Sequence, residues 1–100
     1  MATTSKVLAR TAAATTSTTV YTVPSATTTI VTNIGVTNTT ASAATASILL
    51  NDVSLLASVS VDANSTIFVD LKQVLSATQT IKGSASTTAV NFHISGVEVA

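Results

Sequence analysis

The chain has no cysteine and no tryptophan, one proline (Pro24), one histidine (His93), three glycines, and charged residues at only 8%. Each shortage excludes something. Without cysteine there is no disulfide framework and no thiolate metal site, and a single histidine cannot assemble a zinc centre. The acids Asp52, Asp62, Asp70 and Glu98 are scattered, whereas a calcium loop needs several within one segment. Four basic residues are too few for the phosphate neutralisation that nucleic-acid binding requires. No apolar run reaches transmembrane length, and the segment around Lys6 and Arg10 has no apolar stretch of the signal-peptide kind. No cofactor, metal, nucleic-acid, membrane or small-molecule partner is expected.

What remains is hydroxyl and branched aliphatic. The 100 residues contain 21 Thr and 13 Ser, yet 46% are hydrophobic and the mean hydropathy is +0.57. Disorder goes with low hydrophobicity, so this composition argues for a folded chain. Thr, Val and Ile favour strands because a branched Cβ suits a pleated surface. The length fits one domain, for which surface scaling gives about 5,200 Å² folded against roughly 14,500 Å² unfolded. A domain of that size is marginal without staples, and a formal net charge of zero does little to keep copies apart. Association with other protein is the default expectation.

Turn signals punctuate the chain. Residues 1–17 read as an N-terminal arm or a first edge strand. From Thr18 to Ala100 short strands succeed one another: Thr18–Val23 ending at Pro24, Thr28–Asn38 with Ile30, Ile34 and Val36 on one parity, and Ala44–Leu50 with Ala44, Ala46, Ile48 and Leu50 sharing a face. Asn51-Asp52 marks a tight turn and Asp62-Ala63-Asn64-Ser65 another. Val59 and Val61 share a face, and Ile67, Val69 and Leu71 alternate, with Leu71–Leu75 as a possible helical turn capped by Asp70. Thr78–Gly83 is followed by the clearest strand, where Val90, Phe92 and Ile94 alternate with Asn91, His93 and Ser95. At Gly96 the apolar parity slips to Val97 and Val99, the sign of a bulge. Seven or so strands joined by turns predict an all-β, small antiparallel β-sandwich, Ig-like or jelly-roll-like, with an extended N-terminal arm. Phe68 and Phe92 are expected in or near the core.

Chemistry is sparse. His93 is the single candidate general base near neutral pH, and its parity points it outward with Asn91 and Ser95. Serines and aspartates are present, but no nucleophile-elbow motif accompanies them. An exposed strand or interface histidine outweighs a catalytic one, and no catalytic, cofactor-binding or metal-ligating residues are assigned. The sequons at Asn38 and Asn64 fall in predicted loops, and such triplets arise by chance where 34 residues in 100 carry hydroxyls. Tyr21 with two Phe is too little for a sugar-stacking platform.

The segments Val20-Tyr21-Thr22-Val23-Pro24, Thr28-Thr29-Ile30-Val31, Val36-Thr37-Asn38-Thr39, Asn64-Ser65-Thr66, Asp70–Leu75 and Phe92-His93-Ile94-Ser95-Gly96-Val97-Glu98 carry a resemblance. Together they resemble small β-sandwich virion structural proteins of tailed phages, particularly phages of actinobacteria, of the head-decoration or tail-associated type. The resemblance spans roughly Thr18 to Ala100. It implies a non-enzymatic capsid decoration protein on the virion head that binds the major capsid protein and self-associates as a homotrimer. The alternative it implies is a tail- or baseplate-associated adhesion module, which would gather Asn91, His93, Ser95 and Tyr21 on one exposed face. On the decoration view, removing residues 1–17 leaves the sandwich folded and weakens binding to the particle.

Overall fold

The computed structural model describes residues 3–100, which form eight strands and no helix. The strands are β1 (Thr3–Ala12), β2 (Thr18–Thr22), β3 (Thr28–Asn38), β4 (Ala44–Leu50), β5 (Val53–Val61), β6 (Thr66–Leu75), β7 (Thr80–Ala85) and β8 (Val90–Val99). They make two four-stranded antiparallel sheets, A in the order β1-β8-β3-β6 and B in the order β2-β7-β4-β5. The pairs β1/β8, β2/β7, β3/β6 and β4/β5 nest like one long hairpin, which the additional pairings β3/β8 and β4/β7 roll into two layers. That is the strand order of a jelly roll. The tip of the rolled hairpin is the two-residue turn Asn51-Asp52, with φ of 51° and 64°. Two successive left-handed residues make a turn whose twist suits a hairpin, and Asn and Asp are among the side chains that tolerate it.

The core lies between the sheets. Phe92, Ile94, Ile34, Val36, Ile48 and Ile81 are fully buried, as alternation along β3, β4, β7 and β8 requires, and Val61 at the end of β5 joins them. The accessible surface of 5100 Å² is close to the scaling value for a chain of this mass.

Four expectations are corrected. Leu71–Leu75 is no helical turn: β6 continues through it, so Val74 points outward and is 61% exposed, and Asp70 caps nothing but accepts a hydrogen bond from Asn33 Nδ2 at 3.1 Å. Phe68 is not in the core; it is 69% exposed on the outer face of sheet A. Ile30 does not share a face with Ile34, because an irregularity in the ladder between Val31 and Asn33 reverses the parity there and makes Val31 the buried residue. Of the two readings of residues 1–17, arm or first edge strand, the edge strand is the one formed: Thr3–Ala12 is β1, paired along β8 of the same chain; Met1 and Ala2 lie outside the described residues.

The fourth concerns Gly96. Strand β8 keeps its pleat there, and the register shifts fall opposite, at Val7/Ala9 of β1 and Val31/Asn33 of β3. Gly96 faces inward at a crowded point: a Cβ would stand 2.3 Å from the Ile30 carbonyl oxygen and 2.9 Å from Leu8 Cδ1. The glycine makes room for these neighbours, and the apolar parity changes because Glu98, not Val97 or Val99, takes the next inward position.

Candidate docking surfaces

His93 is exposed on the outer face of sheet A, flanked along β8 by the half-buried Asn91 and Ser95. Its cross-strand neighbours are Arg10 on β1 and Gly35 on β3. Among the described residues it makes no side-chain hydrogen bond to a serine or an acid, and no three His, Cys, Asp or Glu residues gather as metal ligands would. Tyr21 is elsewhere: it stands on β2 in sheet B and turns towards one end of the sandwich, so the grouping of Asn91, His93, Ser95 and Tyr21 is not assembled.

Tyr21 belongs to a polar link that sequence reasoning missed. Its hydroxyl donates to Glu98 Oε2 and lies 2.8 Å from Thr29 Oγ1, while Lys6 Nζ stands 3.3 Å from Glu98 Oε1. Strands β1, β2, β3 and β8 are thus tied across both sheets. The Tyr21 hydrogen bond, helped by Lys6, holds the Glu98 carboxyl below its ordinary pKa; burial and the same carboxylate push the Tyr21 phenol up. A depressed carboxyl pKa stabilises the fold above the unfolded value, and that stabilisation is lost as pH falls through the folded value. Thermal melts of the parent and Glu98→Gln should therefore differ at neutral pH and converge in acid, below about pH 4.5. A constant difference across that range would remove Glu98 as the source.

Asn38, the first residue of a sequon, is completely buried at the end of β3. Its Nδ2 donates to the Ser42 and Val61 carbonyls at 2.8 and 3.1 Å, and its Oδ1 accepts from Thr40 N at 3.0 Å. The amide is wholly engaged in tying the β3–β4 loop to the end of β5, so it is no glycan acceptor in the folded chain.

The two outer faces differ. Sheet B turns Thr45, Ser47, Ser60, Thr80 and Ser84 outward, together with Lys82, which pairs with Asp52 at 2.6 Å. Sheet A turns out Val7, Phe68 and Val74, 47%, 69% and 61% exposed, with Ile30, Val97 and Val99 half-buried beside them. The sides differ as well. At the β1/β2 side Leu8, Ala9, Ala13 and Val23 seal the core. At the β5/β6 side Leu55, Leu56, Ile67, Val69 and Leu71 pack against the core yet remain only half-buried. Edge β5 carries no charged residue over nine positions, although charges are a usual protection of exposed edges. The arrangement offers two surfaces with apolar side chains in water: the outer face of sheet A, where Val7, Phe68 and Val74 stand among Arg10, His93, Asp70 and Lys72, and the incompletely covered β5/β6 side.

No protein-family model and no curated protein matches the chain. Among solved structures it is similar to a pentameric capsid protein isolated from metagenomic phage sequences, at 17% identity over 93% of this chain and 62% of that one, with a TM-score of 0.44. A second crystal structure of a pentameric capsid protein from metagenomic phage sequences, phased with iodide, gives 19% identity, 93% and 63% coverage, and a TM-score of 0.37. The chain spans less than two thirds of the length of either.

Proposed function

We propose that this chain is a non-enzymatic structural protein of a phage virion, a head-decoration protein that packs against the assembled shell. The observation that carries the proposal is the half-covered β5/β6 side, where Leu55, Leu56, Ile67, Val69 and Leu71 keep apolar surface in water. Covering such side chains is favourable by about 25 cal/mol per Å². The phage resemblance of the segments from Val20 to Glu98 makes the major capsid protein the partner that closes this side. Repetition over a shell multiplies a modest contact into stable attachment. The tail-associated adhesion alternative is less favoured, because Tyr21 is withdrawn from the face that holds Asn91, His93 and Ser95.

The test is binding of purified chain to shells that lack it, with gold-labelled antibody read by electron microscopy. Even labelling of heads is expected; labelling confined to tails would favour the adhesion module, and none on either would overturn the virion role. Leu71→Lys, at a half-exposed edge position, should lower the amount bound at least tenfold while its melting curve shows a folded chain. Undiminished binding by that folded variant would move the contact away from the β5/β6 side.

A further inference from the structure

The outer face of sheet A is self-complementary, and we propose that it joins two copies of this chain face to face about a two-fold axis lying along the strands. One row across the sheet reads Arg10, His93, Gly35, Phe68, from edge β1 to edge β6. Asp70 follows Phe68 on the outward side of β6. Rotation about an axis in the interface, parallel to the strands, lays β1 of one copy over β6 of the other at the same height. Arg10 then meets Phe68 and Asp70 of the second copy, and the same contact recurs at the opposite edge, as an isologous interface requires.

The local chemistry suits that contact. Among the described residues Arg10 has no ion-pair partner. Asp70 uses Oδ1 for Asn33, which fixes the carboxylate and leaves Oδ2 for a guanidinium. Gly35 has no side chain to lift the Phe68 ring: the position of a Cβ there is 3.0 Å from Phe68 Cε1, so the ring lies back over the glycine. A guanidinium can stack on the ring's outer face, a favourable cation–π arrangement. Around this row, Val74, Ile30 and Val97 supply apolar contacts, with Asn33, Ser95 and Lys72 as polar neighbours on the same face. Four strands of about ten residues present roughly 19 by 33 Å, or about 600 Å² per copy, on standard strand spacings. Two such faces bury about 1,200 Å², within the range of specific interfaces.

The inference is independent of the shell-binding proposal, since it concerns another surface and is read without particles. The full chain is purified and its mass measured by sedimentation velocity from about 1 to 100 µM, a range that brackets micromolar affinity. A species of twice the 10.0 kDa chain mass is expected. Arg10→Asp and Asp70→Arg should each weaken it at least tenfold, and the double variant should regain it. Phe68→Ser, at an exposed position, should also give monomer while keeping its fold by circular dichroism. A parent that stays monomeric, a trimer of the kind the phage resemblance implies, a pentamer, or single charge reversals that dimerise like the parent would each overturn the two-fold face. A double variant that remains monomeric would remove the Arg10–Asp70 pairing from it.

Discussion

Phe92→Ala should abolish or nearly abolish the folded state at room temperature. The ring is fully buried on β8, between Val36 and Thr11 in its own sheet, and it reaches Gly83 of the opposite sheet: a Cβ at Gly83 would stand 2.8 Å from Phe92 Cε2. Gly83 is thus the hollow into which the ring packs, beside Ile48 Cδ1 at 3.2 Å from the same point. Truncating a buried Phe costs about 3–5 kcal/mol. A domain of this length has a total stability of about 5–15 kcal/mol, and with no cysteine to form a disulfide the lower end is the relevant one. Urea titration followed by far-ultraviolet circular dichroism should show the midpoint collapse towards zero denaturant. A midpoint within about 0.5 M of the parent, under roughly 1 kcal/mol on typical urea slopes, would contradict the placement of the ring.

Deleting residues 1–17 should unfold the chain, the opposite of what the arm interpretation implies. Strand β1 pairs with β8 over almost its whole length, and Leu8, Ala9 and Ala13 are buried. Leu8 fills the space left free at Gly96, with its Cδ1 2.9 Å from where a side chain would begin. Burying a leucine contributes about 1.5–3 kcal/mol, before the ladder and the two alanines are considered. The deletion also removes Lys6 from Glu98 and bares the β8 edge, a template for aggregation. Loss of the cooperative thermal transition, with aggregation at micromolar concentration, is the expected outcome. A truncated chain with a sharp melt near that of the parent would return this segment to the status of an arm.

Local rules reach far into this molecule, and their failures have identifiable causes. The limits of β3, β4 and β8 and the turn at Asn51-Asp52 follow from alternation and turn chemistry, because β-branched runs and Asn-Asp pairs act over a few residues. The misplacements cluster where the pleat is interrupted. Around Thr32 the ladder shifts, so Ile30 and Val31 exchange faces relative to strict alternation. At Gly96 the reverse occurs: the apolar pattern changes while the pleat does not, because Glu98 is satisfied inside by Tyr21 and Lys6 from other strands. Phe68, expected in or near the core, continues the outward parity of β6 and covers a glycine on the neighbouring strand. His93 was legible as an outward residue. The surfaces around it were not, because they are assembled from strands far apart in the chain.

By itself the sequence determined that the chain is an all-β antiparallel sandwich with no cysteine to staple it. Composition and period-two alternation act locally, so they can be read without knowing which strands meet. Only the tertiary structure decided the jelly-roll order, the incorporation of residues 3–12 as an edge strand, and the gathering of exposed Val7, Phe68 and Val74 on sheet A opposite a hydroxyl-rich face on sheet B. Those depend on which strands lie side by side, and pairs such as β1/β8 and β2/β7 are separated by most of the chain. Alternation is the same whichever neighbour a strand takes; only the packed sheets determine which outward side chains stand together in one surface.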